Sequence, residues 1–122
     1  MSPICQILIV DDDVDLLDLF GIALKRLQCQ IIKAAGGKQA LETLKNTTPN
    51  LILLDVAMPA VTGLDVLREV RSNPRFAQTK VVLLTAVPIM VDPTSASLVS
   101  RILIKPITPS ALEANVREVM GE

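Results

Sequence analysis

The segment Leu51–Pro59 reads LILLDVAMP, which places four apolar residues directly before an acidic one. A short apolar run of this kind, bounded by Pro49 and Pro59, is typical of a strand that is buried on both faces of a parallel sheet. Asp55 would stand at the carboxyl end of that strand, where open parallel α/β sheets bind their ligands. On this segment alone Asp55 could equally cap a turn, so its function depends on which other groups the chain brings to the same edge.

Short apolar runs recur along the chain and alternate with apolar residues at helical spacing. Strands are predicted at 7–10, 29–35, 51–54, 80–84 and 102–104, and helical spacing follows them over 16–27, 40–44, 64–70, 96–99 and 112–119. Alternating strands and helices favour parallel pairing with right-handed crossovers. The sequence therefore predicts an α/β fold, a doubly wound five-stranded parallel sheet with helices on both faces.

Capping residues mark the starts of three of these helices. Asp13 is a good N-cap for the first helix, and Thr108 followed by Pro109 suits the N-cap and first position of the last. Thr62 and Asp65 have the spacing of a capping box at the start of the third helix. That helix is predicted to bury Leu64, Leu67 and Val70.

The fourth helix is predicted to be short. Pro88 disfavours a helix that starts directly after the fourth strand, because the residue before a proline avoids the α region. Asp92 and Pro93 form a suitable N-cap and first position, but only about two turns remain before the fifth strand. Helices this short are marginal by themselves, so we expect a mobile element here.

Composition limits the classes of function. A chain of 122 residues is the length of one domain, here 1–122, and its formal net charge of −1 comes without a run of basic residues. We therefore expect no direct nucleic-acid or membrane-surface binding by this segment. The longest apolar run, 81–91, is too short to cross a bilayer, and no signal segment opens the sequence, so a cytoplasmic location is expected. The absence of histidine excludes His-based triads and metal sites.

The two cysteines, Cys5 and Cys29, stand at the starts of two predicted strands. A reducing cytoplasm keeps most thiols free. We therefore expect two buried thiols, with a disulfide as the less favoured alternative.

Four predicted strands end in polar groups. Asp11 and Asp12 follow the first, Asp55 the third, Thr85 the fourth and Lys105 the fifth. In a parallel sheet these ends share one edge, and carboxylates held close together require either a raised pKa or a cation between them. Carboxylate oxygens without histidine or cysteine favour a hard cation such as Mg²⁺. A lysine and a hydroxyl facing that cluster suit a phosphate oxygen.

Four segments together resemble the signature segments of a response-regulator receiver domain. They are Ile7–Asp13 (ILIVDDD), Leu51–Pro59 (LILLDVAMP) with Gly63, Val81–Ala86 (VVLLTA) and Ile104–Pro106 (IKP). The resemblance covers nearly the whole chain and keeps the order of all four segments. It implies a flavodoxin-like fold with strand order 2-1-3-4-5.

The resemblance also implies a metal site. Asp55 would be the phospho-acceptor, and Asp12, Asp55 and the backbone carbonyl of Ala57 would hold Mg²⁺. Asp11 would reach the same ion through a water molecule.

The resemblance also assigns three residues around the phosphoryl group. By the resemblance Thr85 would bond to it, Lys105 would pair with it, and Ala86 would leave the entrance open. The Lys105–Pro106 bond is expected to be cis on the same ground.

The function implied is that of a phospho-accepting receiver in a two-component system, not an enzyme, whose conformational change reaches an output face. The phosphoryl donor in this family is a phosphohistidine, and this chain has no histidine. The partner would therefore be a sensor histidine kinase or a histidine phosphotransfer protein. A homodimer that depends on phosphorylation is an open alternative for the activated state.

Two other functions remain open. Ile102 stands where the family commonly has an aromatic residue that swings inward, which favours a degenerate receiver acting only as a binding module. Asp11-x-Asp13 also resembles the motif of small haloacid-dehalogenase-like phosphatases, in which Asp11 would be the nucleophile. Asp15 departs from that motif, because a Thr or Val is usual at its position.

Overall fold

The computed structural model describes residues 5–121, which form five parallel strands flanked by helices. The strands are β1 (Gln6–Val10), β2 (Gln30–Ala34), β3 (Leu51–Asp55), β4 (Lys80–Thr85) and β5 (Arg101–Ile104). They pair in the order β2-β1-β3-β4-β5, which confirms the predicted α/β class and the flavodoxin-like order. The central strand, β3, is buried at every position, and this explains why its sequence is a continuous apolar run.

Helices cover both faces of the sheet, and three short 3₁₀ turns lie in the connections between helices and strands. The helices are α1 (Val14–Ala23), α2 (Gly37–Leu44), α3 (Gly63–Ser72), α4 (Pro93–Ala96) and α5 (Pro109–Val119). The 3₁₀ turns are Lys25–Leu27, Pro74–Phe76 and Pro88–Met90. None of the helices in residues 5–121 has the length and hydropathy that a bilayer crossing needs.

The two faces of the sheet support two separate cores. Leu8 and Ile52 point to the side of α2 and α3, while their neighbours Ile7 and Leu51 point to the side of α1 and α5. This division follows from the alternation of side chains along a strand. Both cores are almost entirely aliphatic, as the low aromatic content requires.

The predicted helix caps are confirmed. The Asp13 carboxylate accepts hydrogen bonds from two backbone N–H groups of α1, and Thr108 caps α5 through the N–H of Ala111. Thr62 and Asp65 form a complete capping box at the start of α3. The predicted buried stripe of α3 is partly wrong: Leu64 is only half-buried, whereas Val66, which the pattern omitted, is fully buried.

Helix α4 is short, as predicted, but its four residues after the Asp92 cap make about one turn and not two. A single arginine from α3 holds the segment that follows it. Arg71 donates hydrogen bonds to the carbonyl oxygens of Leu98 (2.9 Å), Phe76 (3.1 Å) and Thr79 (2.8 Å). The Arg71 side chain thus ties the segment after α4 to the connection between α3 and β4.

The expectation of free thiols is wrong, because Cys5 and Cys29 form a disulfide. Gln6 pairs with Gln30 in the β1–β2 ladder, so the two cysteines face each other one step earlier, with Cα atoms 4.7 Å apart. This separation lies within the range that disulfides need. The expectation had used only the redox state of the compartment, whereas the pairing follows from strand register.

We expect this disulfide to stabilise the fold, since it joins residues 24 positions apart and restricts the unfolded chain. Reduction, or the double substitution Cys5→Ser/Cys29→Ser, should lower the free energy of unfolding by about 3 kcal/mol. Urea unfolding with and without reductant measures the loss. Reductant should have no effect on the double variant, and equal stability of the oxidised and fully reduced wild type would contradict the prediction.

Candidate functional site

The carboxyl ends of four strands bring the predicted polar residues to one edge of the sheet. The register pairs Val10 with Leu54 and Asp55 with Leu84, so the residues that follow these positions are neighbours across the sheet. Asp11, Asp55 and Thr85 are buried, with 1%, 5% and 0% of their surface exposed. Burial of two carboxylates and a hydroxyl at one edge requires compensating partners.

Lys105 provides that compensation. Its Nζ lies 2.8 Å from Oδ2 of Asp11 and 3.5 Å from Oδ1 of Asp55. The other oxygen of Asp11, Oδ1, accepts the backbone N–H of Asp13 at 2.9 Å. The sequence predicts Lys105 as a partner of a phosphoryl oxygen but does not reveal its pairing with Asp11, because residues 94 positions apart leave no local signal.

The three predicted metal-ligating carboxylates lie together. Oxygen atoms of Asp11, Asp12 and Asp55 are all within 4.8 Å of one another. Asp12 is exposed while the other two are buried, so the cluster opens to solvent on one side. Ala57 lies two residues beyond Asp55 in the exposed part of the loop that follows β3. A set of carboxylate oxygens that is accessible to water fits a hard, partly hydrated cation such as Mg²⁺.

The electrostatics of the cluster raise the pKa of Asp55 to about 6. Burial is the main cause and the negative charge of Asp11 adds to it, while Lys105 acts in the opposite direction. For Lys105 burial lowers the pKa, but its hydrogen bond to Asp11 and the charges of Asp11 and Asp55 outweigh burial and raise the pKa overall. The raised pKa of Asp55 is one of the two outcomes expected for crowded carboxylates.

Thr85 and the residues around it form one wall of the site. The Thr85 hydroxyl accepts the backbone N–H of Val87 at 2.9 Å, which leaves its own proton available to donate. Ala86 is exposed, and the Lys105–Pro106 bond is cis, as expected. The Lys105 N–H donates to the Thr85 carbonyl at 2.9 Å and continues the β4–β5 ladder past Ile104.

Ile102 lies on the other side of β5 and is half-buried against the core beneath α2 and α3. Ile104, two residues further along, has 56% of its surface exposed. The short α4 leaves this part of β5 uncovered. The position that an aromatic residue commonly occupies in the family therefore carries a branched aliphatic side chain without a ring to reorient.

Gly63 belongs to one of the signature segments, but the sequence alone does not explain why a glycine stands there. A Cβ atom at this position would lie 2.8 Å from the Asp55 carbonyl carbon and 2.8 Å from the Val56 Cα, which is closer than real Cβ atoms approach. Its N–H donates to the Val56 carbonyl at 2.9 Å and closes the loop between β3 and α3. Gly63 thus fixes the backbone of the residue that carries the central carboxylate.

We expect Asp55→Asn to stabilise the metal-free protein at neutral and alkaline pH. The native pKa of Asp55, about 6, exceeds its ordinary value of 3.8, so the native state binds the proton more tightly than the unfolded state. Stability is then lost as pH rises from about 4 to 6, and the full cost remains above that range. Removing the charge should raise the free energy of unfolding by about 1–3 kcal/mol at pH 8 and by little at pH 4.

Urea unfolding at both pH values in the presence of a chelator measures this gain. Asp18→Asn is the matched control, because Asp18 is an exposed carboxylate of α1 that pairs with Lys33. It should change stability by less than about 1 kcal/mol at either pH. An Asp55→Asn protein less stable than wild type at pH 8 would show that the carboxylate repulsion is not the dominant cost.

Known proteins share both the sequence pattern and the fold. The sequence pattern of the response regulator receiver domain matches residues 7–117. The probable transcriptional regulator ycf27 of Porphyridium aerugineum is 30% identical over 117 residues, which cover 94% of this chain and 48% of that protein. The DNA-binding response regulator MtrA of Mycobacterium leprae (strain TN) is 33% identical over 114 residues, which cover 92% of this chain and 49% of that protein.

The chain thus spans about half the length of these curated relatives. Among solved structures, the response regulator TrrA of Thermotoga maritima, in complex with Mg²⁺-BeF, is similar with a TM-score of 0.83 and 27% identity. That similarity covers 95% of this chain and 99% of the TrrA chain. Because the family pattern matches from 7 to 117, nearly the whole sequence, the chain belongs to the response regulator receiver domain family of two-component signalling systems.

Proposed function

We propose that residues 1–122 form a receiver domain in which Asp55 accepts a phosphoryl group from a partner phosphohistidine. The observation that carries this proposal is the position of Asp55, buried at the end of the central strand and in contact with Lys105. A carboxylate that faces one ammonium group and two further carboxylates has the surroundings that a metal-assisted phosphoryl acceptor needs.

The contacts favour Asp55 over Asp11 as the nucleophile. Both oxygens of Asp11 are engaged, one by the Asp13 N–H and the other by Lys105. The contact between Asp55 and Lys105 is longer, at 3.5 Å, and leaves this carboxylate less tightly held. This difference argues against the phosphatase alternative, in which Asp11 would form the covalent intermediate.

The carboxylate cluster would hold Mg²⁺ through Asp12, Asp55 and the carbonyl of Ala57, with Asp11 acting through a water molecule. The clustering of the three carboxylates supports this assignment, as does the Thermotoga relative, which was solved with Mg²⁺-BeF. Bound Mg²⁺ neutralises negative charge on the transferring phosphoryl group.

In the transfer step, an oxygen of Asp55 forms a bond to phosphorus while the bond from phosphorus to the donor imidazole nitrogen breaks. The electron pair of the broken bond stays with the imidazole, and Asp55 becomes an acyl phosphate. Lys105, which neutralises Asp11 and Asp55 before the reaction, is close enough to pair with a phosphoryl oxygen. Thr85 can donate its hydroxyl proton to another phosphoryl oxygen.

An apolar cavity beside the site suits the phosphodonor partner. It has a volume of about 400 Å³ and lies between α1 and the segment after β5, with Lys105 on its wall. Its other lining residues are Leu16, Leu19, Phe20, Ala86, Pro106 and Ile107. An apolar surface that adjoins the acceptor can bind a helix of a sensor histidine kinase or of a histidine phosphotransfer protein while the phosphohistidine reaches Asp55.

Residues 1–122 are proposed to make no direct contact with DNA. The relative named as a DNA-binding response regulator is about twice as long as the matched region, and the formal net charge here is −1. A surface without a basic patch has little electrostatic affinity for nucleic acid. The output of this domain would therefore be a change of conformation.

A second candidate function, binding without phosphorylation, rests on the output side of the domain. The short α4 and the aliphatic Ile102 both depart from the family pattern. The phosphorylation experiment that follows separates the two functions, because a receiver that acts only as a binding module would not be labelled.

Treatment with acetyl phosphate and Mg²⁺ should add one phosphate to the wild type, because Asp55 is accessible to a small donor through the open side of the cluster. Intact-mass spectrometry should detect this addition, and hydroxylamine should remove it. Asp55→Asn should not be labelled, whereas Asp13→Asn should be labelled normally, since asparagine also caps a helix. Labelling of Asp55→Asn at the wild-type level would refute the assignment, and loss of labelling in Asp13→Asn would favour the phosphatase alternative.

Mg²⁺ should raise the melting temperature, because the native state alone holds the three carboxylates together. Binding adds about 2.7 kcal/mol to the stability at a metal concentration of 100 times the Kd. Asp12→Ala should be more stable than wild type without metal and should lose most of the metal-induced shift. Asp15→Ala, which removes an exposed carboxylate of α1 outside the cluster, is the control and should keep the shift. An equal shift in Asp12→Ala and wild type would argue against the site.

A further inference from the structure

The loop 56–62, which joins β3 to α3, is held at several points along its length. At its end, the Gly63 N–H donates to the Val56 carbonyl at 2.9 Å. In its middle, the Met58 side chain is buried, with 5% of its surface exposed. Between these points lies Ala57, whose carbonyl is proposed to bind Mg²⁺. The position of that carbonyl depends on the conformation of the whole loop.

One residue of the loop has an unfavourable backbone conformation. Ala60 has a φ of 63°, in the left-handed region that residues with a Cβ atom disfavour. Such a conformation persists only where surrounding contacts determine it. The loop must therefore pack against another part of the molecule near this residue.

That contact is with the first residue of α2. Gly37 is buried against Val61, and a Cβ atom on Gly37 would meet the Val61 carbonyl oxygen first and lie 2.7 Å from its Cγ1. Real Cβ atoms essentially never approach another atom within 3.0 Å, so no other residue fits without movement of the loop. The neighbouring Gly36 differs: it has a φ of 112°, and a Cβ atom there would meet nothing within 4 Å.

The two glycines thus have different reasons to be glycine. A turn between β2 and α2 accounts for Gly36, because its positive φ favours glycine. Gly37 instead allows the backbone of the loop 56–62 to lie directly on the start of α2. This contact links α2, which contributes no group to the acceptor site, to the loop that follows Asp55.

We propose that Gly37 is a positioning residue for phosphoryl transfer, which holds the loop 56–62 so that the Ala57 carbonyl faces the carboxylate cluster. This inference rests on the proposed function of Asp55 and Mg²⁺. A side chain at Gly37 would move Val61 away from α2, and Met58 and the Gly63 hydrogen bond would pass that movement to Ala57. Displacements of about 1 Å in a site of this kind lower rates by about 100-fold.

The test compares Gly37→Ala with Gly36→Ala. Both variants lose stability, the first by a steric clash and the second by a strained φ, but only the first touches the loop. Mg²⁺ affinity is measured by titration calorimetry, and phosphorylation by acetyl phosphate is followed by intact mass. Both measurements are made at a temperature where circular dichroism shows each variant to be folded.

For Gly37→Ala we expect the Kd for Mg²⁺ to rise about 3- to 10-fold and the phosphorylation rate to fall about 10- to 100-fold. Gly36→Ala should stay within about twofold of wild type in both measurements, because its strain lies outside the loop. The proposal is overturned if Gly37→Ala also stays within twofold, or if the two variants lose affinity and rate equally.

A second variant covers the case in which Gly37→Ala does not fold. Val61→Gly removes the loop side chain that packs on α2 and should raise the Kd for Mg²⁺ at least about threefold, because the loop loses its support. An unchanged Kd would overturn the proposal. If the wild type binds Mg²⁺ without being phosphorylated, the proposed function fails, and the Mg²⁺ affinities alone decide the role of Gly37. A wild type that does not bind Mg²⁺ overturns both.

Discussion

Five parallel strands bring their carboxyl ends to one edge of the sheet, and this constraint forces charged groups into contact. Asp11 and Asp55 are buried there beside the exposed Asp12, and burial with mutual repulsion raises the pKa of Asp55 to about 6. The two aliphatic cores on either side of the sheet supply the stability that this arrangement requires. The carboxylate cluster thus lowers the stability of the native state, and a bound cation or loss of the charge on Asp55 would reduce this destabilisation.

Lys105 reduces the repulsion between the buried carboxylates when no metal is bound. Its ammonium group contacts both Asp11 and Asp55, so each of the two buried carboxylates has a positive neighbour. Loss of the ammonium group alone would leave two buried carboxylates without their cation. The same position suits the proposed phosphoryl transfer, because an ammonium group already beside Asp55 would need only a small movement to pair with a phosphoryl oxygen.

Sequence patterns predicted the elements that depend on local chemistry. The strand order agreed with the resemblance, and the N-cap at Asp13 followed from residue type and spacing alone. The disulfide between Cys5 and Cys29 was missed because it depends on the register of two strands. The pairing of Lys105 with Asp11 was missed because it joins the ends of two strands that are not neighbours in the sheet and lie 94 positions apart in the chain. The proximity of the polar groups was predictable from topology, but their individual partners were not.

The segment that leads from β4 to α4 also begins at the edge of the sheet that carries the site. The Thr85 hydroxyl accepts the Val87 N–H, so movement of the hydroxyl oxygen toward a phosphoryl group would stretch this bond, which holds the chain after β4. Pro88 follows Val87 and has no N–H of its own, and the other backbone bonds here lie within the turn itself, from Met90 to the Val87 carbonyl and from Val91 to the Pro88 carbonyl. Ile102 has no aromatic ring that could change rotamer when Thr85 moves. Under the proposed function, the backbone from Thr85 to the four-residue α4 would carry the response, and Arg71 holds the segment after α4 through the Leu98 carbonyl.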